Sequence, residues 1–169
     1  RTPAAKAKNG GFDLLVRTLP DGTTTRVAEG ASSPALHGSR IAWRDMTDDQ
    51  LYRFHVRDLT SGVERTMTLK QGEYPSSPLS LHGEWLVIGA TLPAEGWEHA
   101  SATFGLNAAT GEVRTITRAP FMQNAPHIVG GTVVWSDGRH LQHIPDYSWH
   151  GLDLYTRPIA CLLYTSPSP

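Results

Sequence analysis

The chain has 169 residues, 16 Asp and Glu against 15 Lys and Arg, and a formal charge of −1. That length fits one domain, and without a basic excess there is nothing to drive general nucleic-acid binding by counterion release from phosphates. The hydrophobic share of 39% is enough for a core, whereas no run approaches the roughly 18 consecutive apolar residues of a membrane helix.

The chain opens Arg1-Thr2-Pro3-Ala4, with neither an initiator Met nor an apolar signal core. Residues 1–11 are therefore expected to be a disordered or truncated lead-in. From there a repeat organises the text. Its first block reads Val16-Arg17-Thr18-Leu19-Pro20-Asp21-Gly22, then Val56-Arg57-Asp58-Leu59-Thr60-Ser61-Gly62, then Gly105-Leu106-Asn107-Ala108-Ala109-Thr110-Gly111. A threonine-rich strand is predicted after each closing glycine, over 23–27, 63–69 and 112–117. Gly151-Leu152-Asp153-Leu154-Tyr155-Thr156 begins the block once more.

The second block runs from Ser32-Ser33-Pro34 to Trp43-Arg44-Asp45, from Ser76-Ser77-Pro78 to Ile88-Gly89, and from Asn124-Ala125-Pro126 to Trp135-Ser136-Asp137. Its prolines are 44 and 48 residues apart, and Gly38, Gly83 and Gly130 are 45 and 47 apart. Two blocks sharing one period identify a structural unit. Each unit reads as four strands: a Pro-led first strand, a glycine hairpin turn, a β-branched and aromatic second strand buried on both faces, and a third and fourth strand. In the first unit the third strand is predicted over 51–59; in the second, over 102–106. Helical spacing is not sustained anywhere. Four short strands every 40 to 50 residues are the signature of propeller blades, since a small sheet with two apolar faces needs a neighbour on each side. A β-sandwich is the rival, but it needs no period.

The pattern of Pro, an apolar pair, Gly, Val-Val-Trp-x-Asp and Tyr-x-Leu-x-Thr-Gly resembles the TolB-like six-bladed β-propeller repeat family of bacterial cell-envelope and secreted proteins. The resemblance covers about 13–156 and is cleanest over 126–137. It implies an all-β fold, a partial β-propeller of about three four-stranded antiparallel blades cut from a six-bladed ring, spanning 12–160 with blade boundaries near 30, 74 and 123. It also implies a periplasmic or extracellular setting. It does not imply one activity, because the architecture serves binding scaffolds, peptidase accessory domains and lyases alike. The second unit departs from the pattern, with Ile88-Gly89-Ala90 in place of Trp-x-Asp.

Cys161-Leu162-Leu163-Tyr164-Thr165-Ser166-Pro167-Ser168-Pro169 resembles a translated transposase adapter of the kind used in sequencing libraries, so 161–169 is expected to be an artefactual tail. Setting it aside removes the only cysteine, and with it disulfides, thiolate metal sites and a cysteine nucleophile.

Up-and-down blades send the loops between second and third strands, and the blade-to-blade connections, to one face. That face gathers Trp97, His99, Phe121, Met122, His140, His143, Tyr147, Trp149 and His150, while short glycine turns occupy the other. Long aromatic loops on a rigid scaffold suit recognition. The candidate ligand or partner face is accordingly Trp97, His99, Phe121, His140, His143, Tyr147 and Trp149, and the aromatics could equally serve to tuck their own loops. The partner would be a protein or a small-molecule or carbohydrate ligand.

No metal or cofactor is expected. His140-x-x-His143 with Asp146 and His150 nearby has no element that forces convergence on zinc. Asp45, Asp48 and Asp49 lack the sixth-position Gly and twelfth-position Glu of a calcium loop. Gly-x-Ser-x-Gly and the phosphate-cradling glycine motifs do not occur, so no catalytic residue is assigned. The expected function is a noncatalytic interaction scaffold, with the propeller of a larger secreted hydrolase or lyase as the alternative.

Overall fold

The computed structural model describes residues 11–20, 22–93, 100–140 and 152–160; among them every regular element is a strand. The 13 strands are β1 (Phe12–Arg17), β2 (Thr24–His37), β3 (Arg40–Met46), β4 (Tyr52–Asp58), β5 (Glu64–Thr68), β6 (Tyr74–Pro75), β7 (Ser80–His82), β8 (Trp85–Thr91), β9 (Ser101–Asn107), β10 (Val113–Ala119), β11 (Gln123–Val129), β12 (Thr132–Asp137) and β13 (Asp153–Pro158). They form three antiparallel sheets. The first has the order β1-β2-β3-β4-β5, the second β10-β9-β8 with β6 and β7 both on the free edge of β8, and the third β11-β12-β13.

Strand β2 serves two units. Residues 24–31 pair with β1, and residues 32–37 pair with β3. The first sheet is thus a hairpin joined through one bent strand to a four-stranded meander. Gly30, at φ 67°, marks the bend, a conformation open to glycine at little steric cost. In every unit a tight turn with a left-handed glycine (Gly38, Gly83 or Gly130, φ 55–58°) reverses the chain between its first two strands.

Alternation along the second strand explains how the sheets stack. Successive residues of a strand point to opposite faces. On β3, Ile41 and Trp43 enter a cluster with Leu14, Val16, Val27, Ala28 and Ala31 of the preceding hairpin, while Ala42 joins the cluster facing the second sheet. On β8, Leu86 and Ile88 face back to Phe54, Val56 and Leu69 of the first sheet, and Val87 faces forward to Ile128, Val133 and Trp135 of the third. The second sheet is therefore buried on both sides by its neighbours, and successive sheets stack in chain order. This is a propeller-like arrangement. Trp43 and Trp135 hold equivalent places, 3% and 5% exposed: Trp43 packs between the meander and the preceding hairpin, and Trp135 between the third sheet and the second.

The prolines are placed differently from expectation. Pro34 and Pro126 lie within β2 and β11 rather than at a first position, inside register shifts between Ser32 and Ala35 and between Asn124 and His127. A bulge frees one residue from the ladder, which suits a residue that has no N–H to donate. In both bulges the residue before the proline has a positive φ, 51° at Ser33 and 48° at Ala125.

The block ending in Gly62 and Gly111 is a turn with a side-chain cap. Asp58 Oδ1 accepts from the amides of Thr60 and Ser61 at 2.9 Å, and Asn107 Oδ1 accepts from those of Ala109 and Thr110 at 2.9 Å. Each turn closes with the glycine amide donating to the Asp or Asn carbonyl at 2.8 Å. Asp and Asn recur here because their short side chains mimic a turn's own backbone bonds. The hydrogen bonds to Asp58, led by that from Ser61, hold its carboxyl below the ordinary range.

Candidate recognition face

The strand order puts the β3–β4 and β12–β13 connections, and the β5–β6 and β10–β11 connections, on one face. Phe121 and His140 are the two residues of the sequence-derived set that fall within the described residues; Trp97, His99, His143, Tyr147 and Trp149 lie outside them, as do Asp146 and His150. Phe121 is half-buried in the β10–β11 connection. His140 is exposed, with Nδ1 at 2.7 Å from Asp153 Oδ2.

What joins these segments is Asp137, at the end of β12 and wholly buried. Because residues i and i+2 share a strand face, Trp135 Nε1 donates to Asp137 Oδ2 at 3.1 Å. Gln123 Nε2 donates to the same oxygen at 2.8 Å. Arg139 closes a two-pronged pair, Nε to Oδ1 and Nη2 to Oδ2, each 2.9 Å, and its own amide donates to Oδ1 at 3.0 Å. Burial alone would push this carboxyl up, but the bonds from Arg139, Gln123 and Trp135 outweigh it and hold the group well below the usual carboxylate range. The same pairing raises Arg139. Its guanidinium lies 3.8 Å from the Tyr155 ring centroid and 5.7 Å from that of Phe121. Gly138 N also donates to Met122 O at 2.9 Å. One carboxylate therefore anchors the root of the β12–β13 loop to the β10–β11 connection.

Asp45, the counterpart of Asp137 on β3, has different partners. Arg53 Nε and Nη2 reach its two oxygens at 3.0 and 2.7 Å, and His55 Nε2 lies 3.1 Å from Oδ1. Burial opposes ionisation here too, yet the Arg53 and His55 contacts prevail and lower the carboxyl. His55 stacks on Trp43 with ring centroids 4.7 Å apart and 3° between planes, and its Nδ1 lies 2.8 Å from Glu64 Oε1. With Asp45 so engaged and Asp48 and Asp49 exposed on the following turn, these carboxylates do not converge. Among the described residues no group of three or more His, Cys, Asp or Glu is placed to hold a metal ion.

Sequence reasoning missed Arg139, Gln123 and the arginines that stitch neighbouring sheets. Arg65 Nη2 donates to Ala109 O of the next unit at 3.3 Å, and Arg114 Nη1 to Ile159 O at 3.2 Å. A signal for these was present, since each arginine stands three residues after its turn glycine, Gly62 or Gly111.

No protein-family profile matches the chain, and no curated protein matches it. A solved structure does. The chain is similar to Pyrococcus horikoshii acylaminoacyl peptidase in its orthorhombic crystal form, with a TM-score of 0.65 and 17% identity over 85% of this chain and 26% of that one. That neighbour contains a β-propeller. The chain spans about a quarter of its length, and likeness at this identity is one of fold. The fold is all-β and propeller-like; among the described residues no helix is long and apolar enough to cross a membrane.

Proposed function

We propose that the chain is part of a TolB-like six-bladed β-propeller that works as a noncatalytic interaction scaffold in an exported protein of the periplasm or extracellular space. It engages a protein, or a small-molecule or carbohydrate ligand, through its loop face. The observation that supports this reading is the unequal construction of the two faces. One is closed by glycine and Asx turns of a few residues. The other carries the long connections, rooted by Asp137 and Arg139 against Phe121 and Tyr155. A rigid base under variable loops is how binding surfaces are commonly built. The test replaces 94–99 and 141–150 with short glycine turns and compares capture of partners from an envelope extract by both proteins. Loss of a specific partner is expected; identical capture would sink the reading.

A second reading is favoured by the structural neighbour, an acylaminoacyl peptidase. The chain would be the propeller of a larger secreted hydrolase or lyase, its catalytic part lying elsewhere in the polypeptide. Peptidase or lyase activity in a longer protein that carries this chain, absent from the propeller alone, is the expected result under that reading.

A further inference from the structure

The junction of the first and second sheets on the loop face holds a guanidinium with an open fork. Arg44 follows Trp43 on β3 and so points to the opposite side from Trp43 and Asp45, towards the second sheet. Its stem is fixed: Nε donates to Ser32 Oγ at 3.2 Å, and that hydroxyl donates to Arg44 O at 3.4 Å. Its charge lies 5.8 Å from the centroid of the Tyr52 ring. Tyr52 in turn meets Tyr74 edge-on at 6.2 Å, and Tyr74 is 58% exposed. Among the described residues no carboxylate lies within ion-pair distance of Arg44, whereas neighbouring Arg53 is held by Asp45. Nε is occupied, and among the described residues the two terminal amino groups have no protein partner.

We propose that Arg44, Tyr52 and Tyr74 form a receptor for a carboxylate carried on an aromatic body. A planar guanidinium matches a carboxylate in a two-pronged pair. Attraction to the Tyr52 ring and the bond to Ser32 hold that fork before the ligand arrives, so less side-chain freedom is lost on binding. Tyr74, more than half exposed and reached through Tyr52, adds aromatic surface to the site, which favours an aromatic body over an aliphatic one. The position also fits the repeat. The corresponding residue is Gly89 on β8 and Ser136 on β12, so the charge belongs to one unit and is not needed to build a blade. The inference deepens the scaffold reading by naming a ligand chemistry for its loop face, but the site itself needs only strands already described.

The probe pair is N-acetylphenylalanine and its primary amide, titrated into the full chain and followed by NMR at the arginine Nε and tyrosine ring resonances. The acid should produce saturable shifts and bind at least tenfold more tightly than the amide. N-acetylalanine should bind several-fold more weakly than the phenylalanine acid. Arg44→Gln should lose tenfold or more for the acid with its circular dichroism unchanged and its melting temperature lowered by no more than a few degrees. Tyr74→Ala, at an exposed position, supplies an independent variant and should weaken binding several-fold. A peptide ending in phenylalanine with a free C-terminus distinguishes the sources: tighter binding assigns the carboxylate to a chain end, and equal binding assigns it to a small acid. Equal binding of acid and amide, absence of saturable shifts, or an Arg44→Gln protein that binds as well as the parent overturns the proposal. A scaffold working through other loops would retain its captured partner in Arg44→Gln, so the two readings fail separately.

Discussion

The junction between the first and second sheets differs from that between the second and third. The former is filled by Phe54, Val56, Leu69, Leu79, Leu81, Leu86, Ile88 and Leu106, mostly aliphatic and nearly all inaccessible. The latter has a smaller apolar cluster around Ile116, Ile128, Val133 and Trp135, flanked by directional contacts. Ser80 Oγ accepts from Ile128 N at 3.0 Å and lies 3.0 Å from His127 Nδ1. Gln123 N donates to Ser101 Oγ at 3.1 Å, and the Asp137 network lies alongside. Apolar burial is non-directional and scales with area, whereas hydrogen bonds fix angle and register and penalise loss of one partner. The first junction has cross-sheet bonds too, from Arg40 Nη1 to Gly83 O, Gly83 N to His37 Nδ1 and Arg65 Nη2 to Ala109 O. These lie at its partly exposed rim, whereas those to Ser80 and Ser101 are buried; the first junction leans on adhesion and the second adds alignment.

That contrast can be broken most severely at Phe54, fully buried in the first junction. Phe54→Ala should cost about 3–5 kcal/mol in denaturant unfolding, from lost burial plus the cavity left behind; a cost near zero would mean the sheets do not adhere there. At the second junction, a Cβ added to Gly89 would meet Ser77 Oγ at 2.7 Å, Ser76 Oγ at 2.8 Å and Pro126 Cδ at 3.0 Å. Gly89→Ala should therefore destabilise by about 1–3 kcal/mol through overpacking, measurable as a lower denaturation midpoint.

Acid should act through the second junction. The Asp137 carboxyl is held below its ordinary value in the folded protein, so its contribution is complete above the unfolded value of about 3.9 and is lost as pH falls through the folded one. Melting temperature recorded from pH 7 to 2.5 should fall below about pH 4. Asp137→Asn should flatten that part of the fall while lowering stability at pH 7 by about 1–3 kcal/mol, because buried donors lose their acceptor. A parallel acid profile for both proteins would remove Asp137 from the account. The smallest effect is expected at Arg114, which bonds Ile159 O and lies 5.0 Å from the Trp85 ring centroid. Arg114→Gln should lose about 0.5–1 kcal/mol in the same assay.

The repeat was legible because its punctuation is chemical. Gly38, Gly83 and Gly130 adopt a left-handed conformation that glycine tolerates, and Asp58 and Asn107 cap turns as their side chains allow. The bulges at Pro34 and Pro126 were not legible, since proline is compatible with a first strand position as well as with a bulge. Nor was the Asp137 network. Gln123 lies 14 residues before Asp137, and only β11 pairing with β12 brings them together. Of the proposed surface residues, Phe121 could be sorted to a face from topology alone, but its place against Arg139 depends on a side-chain direction that loop composition does not encode.

Because neighbouring positions of each second strand lean backwards and forwards in turn, successive units meet through opposite flanks. Duplication or loss of a whole unit would bring together flanks of the same general kind, giving the lineage an easy route to stacks of different length. Gly89 against Pro126 is the exception to that interchangeability. There one flank fits a single neighbour, and a shuffled stack would be expected to keep those two units side by side.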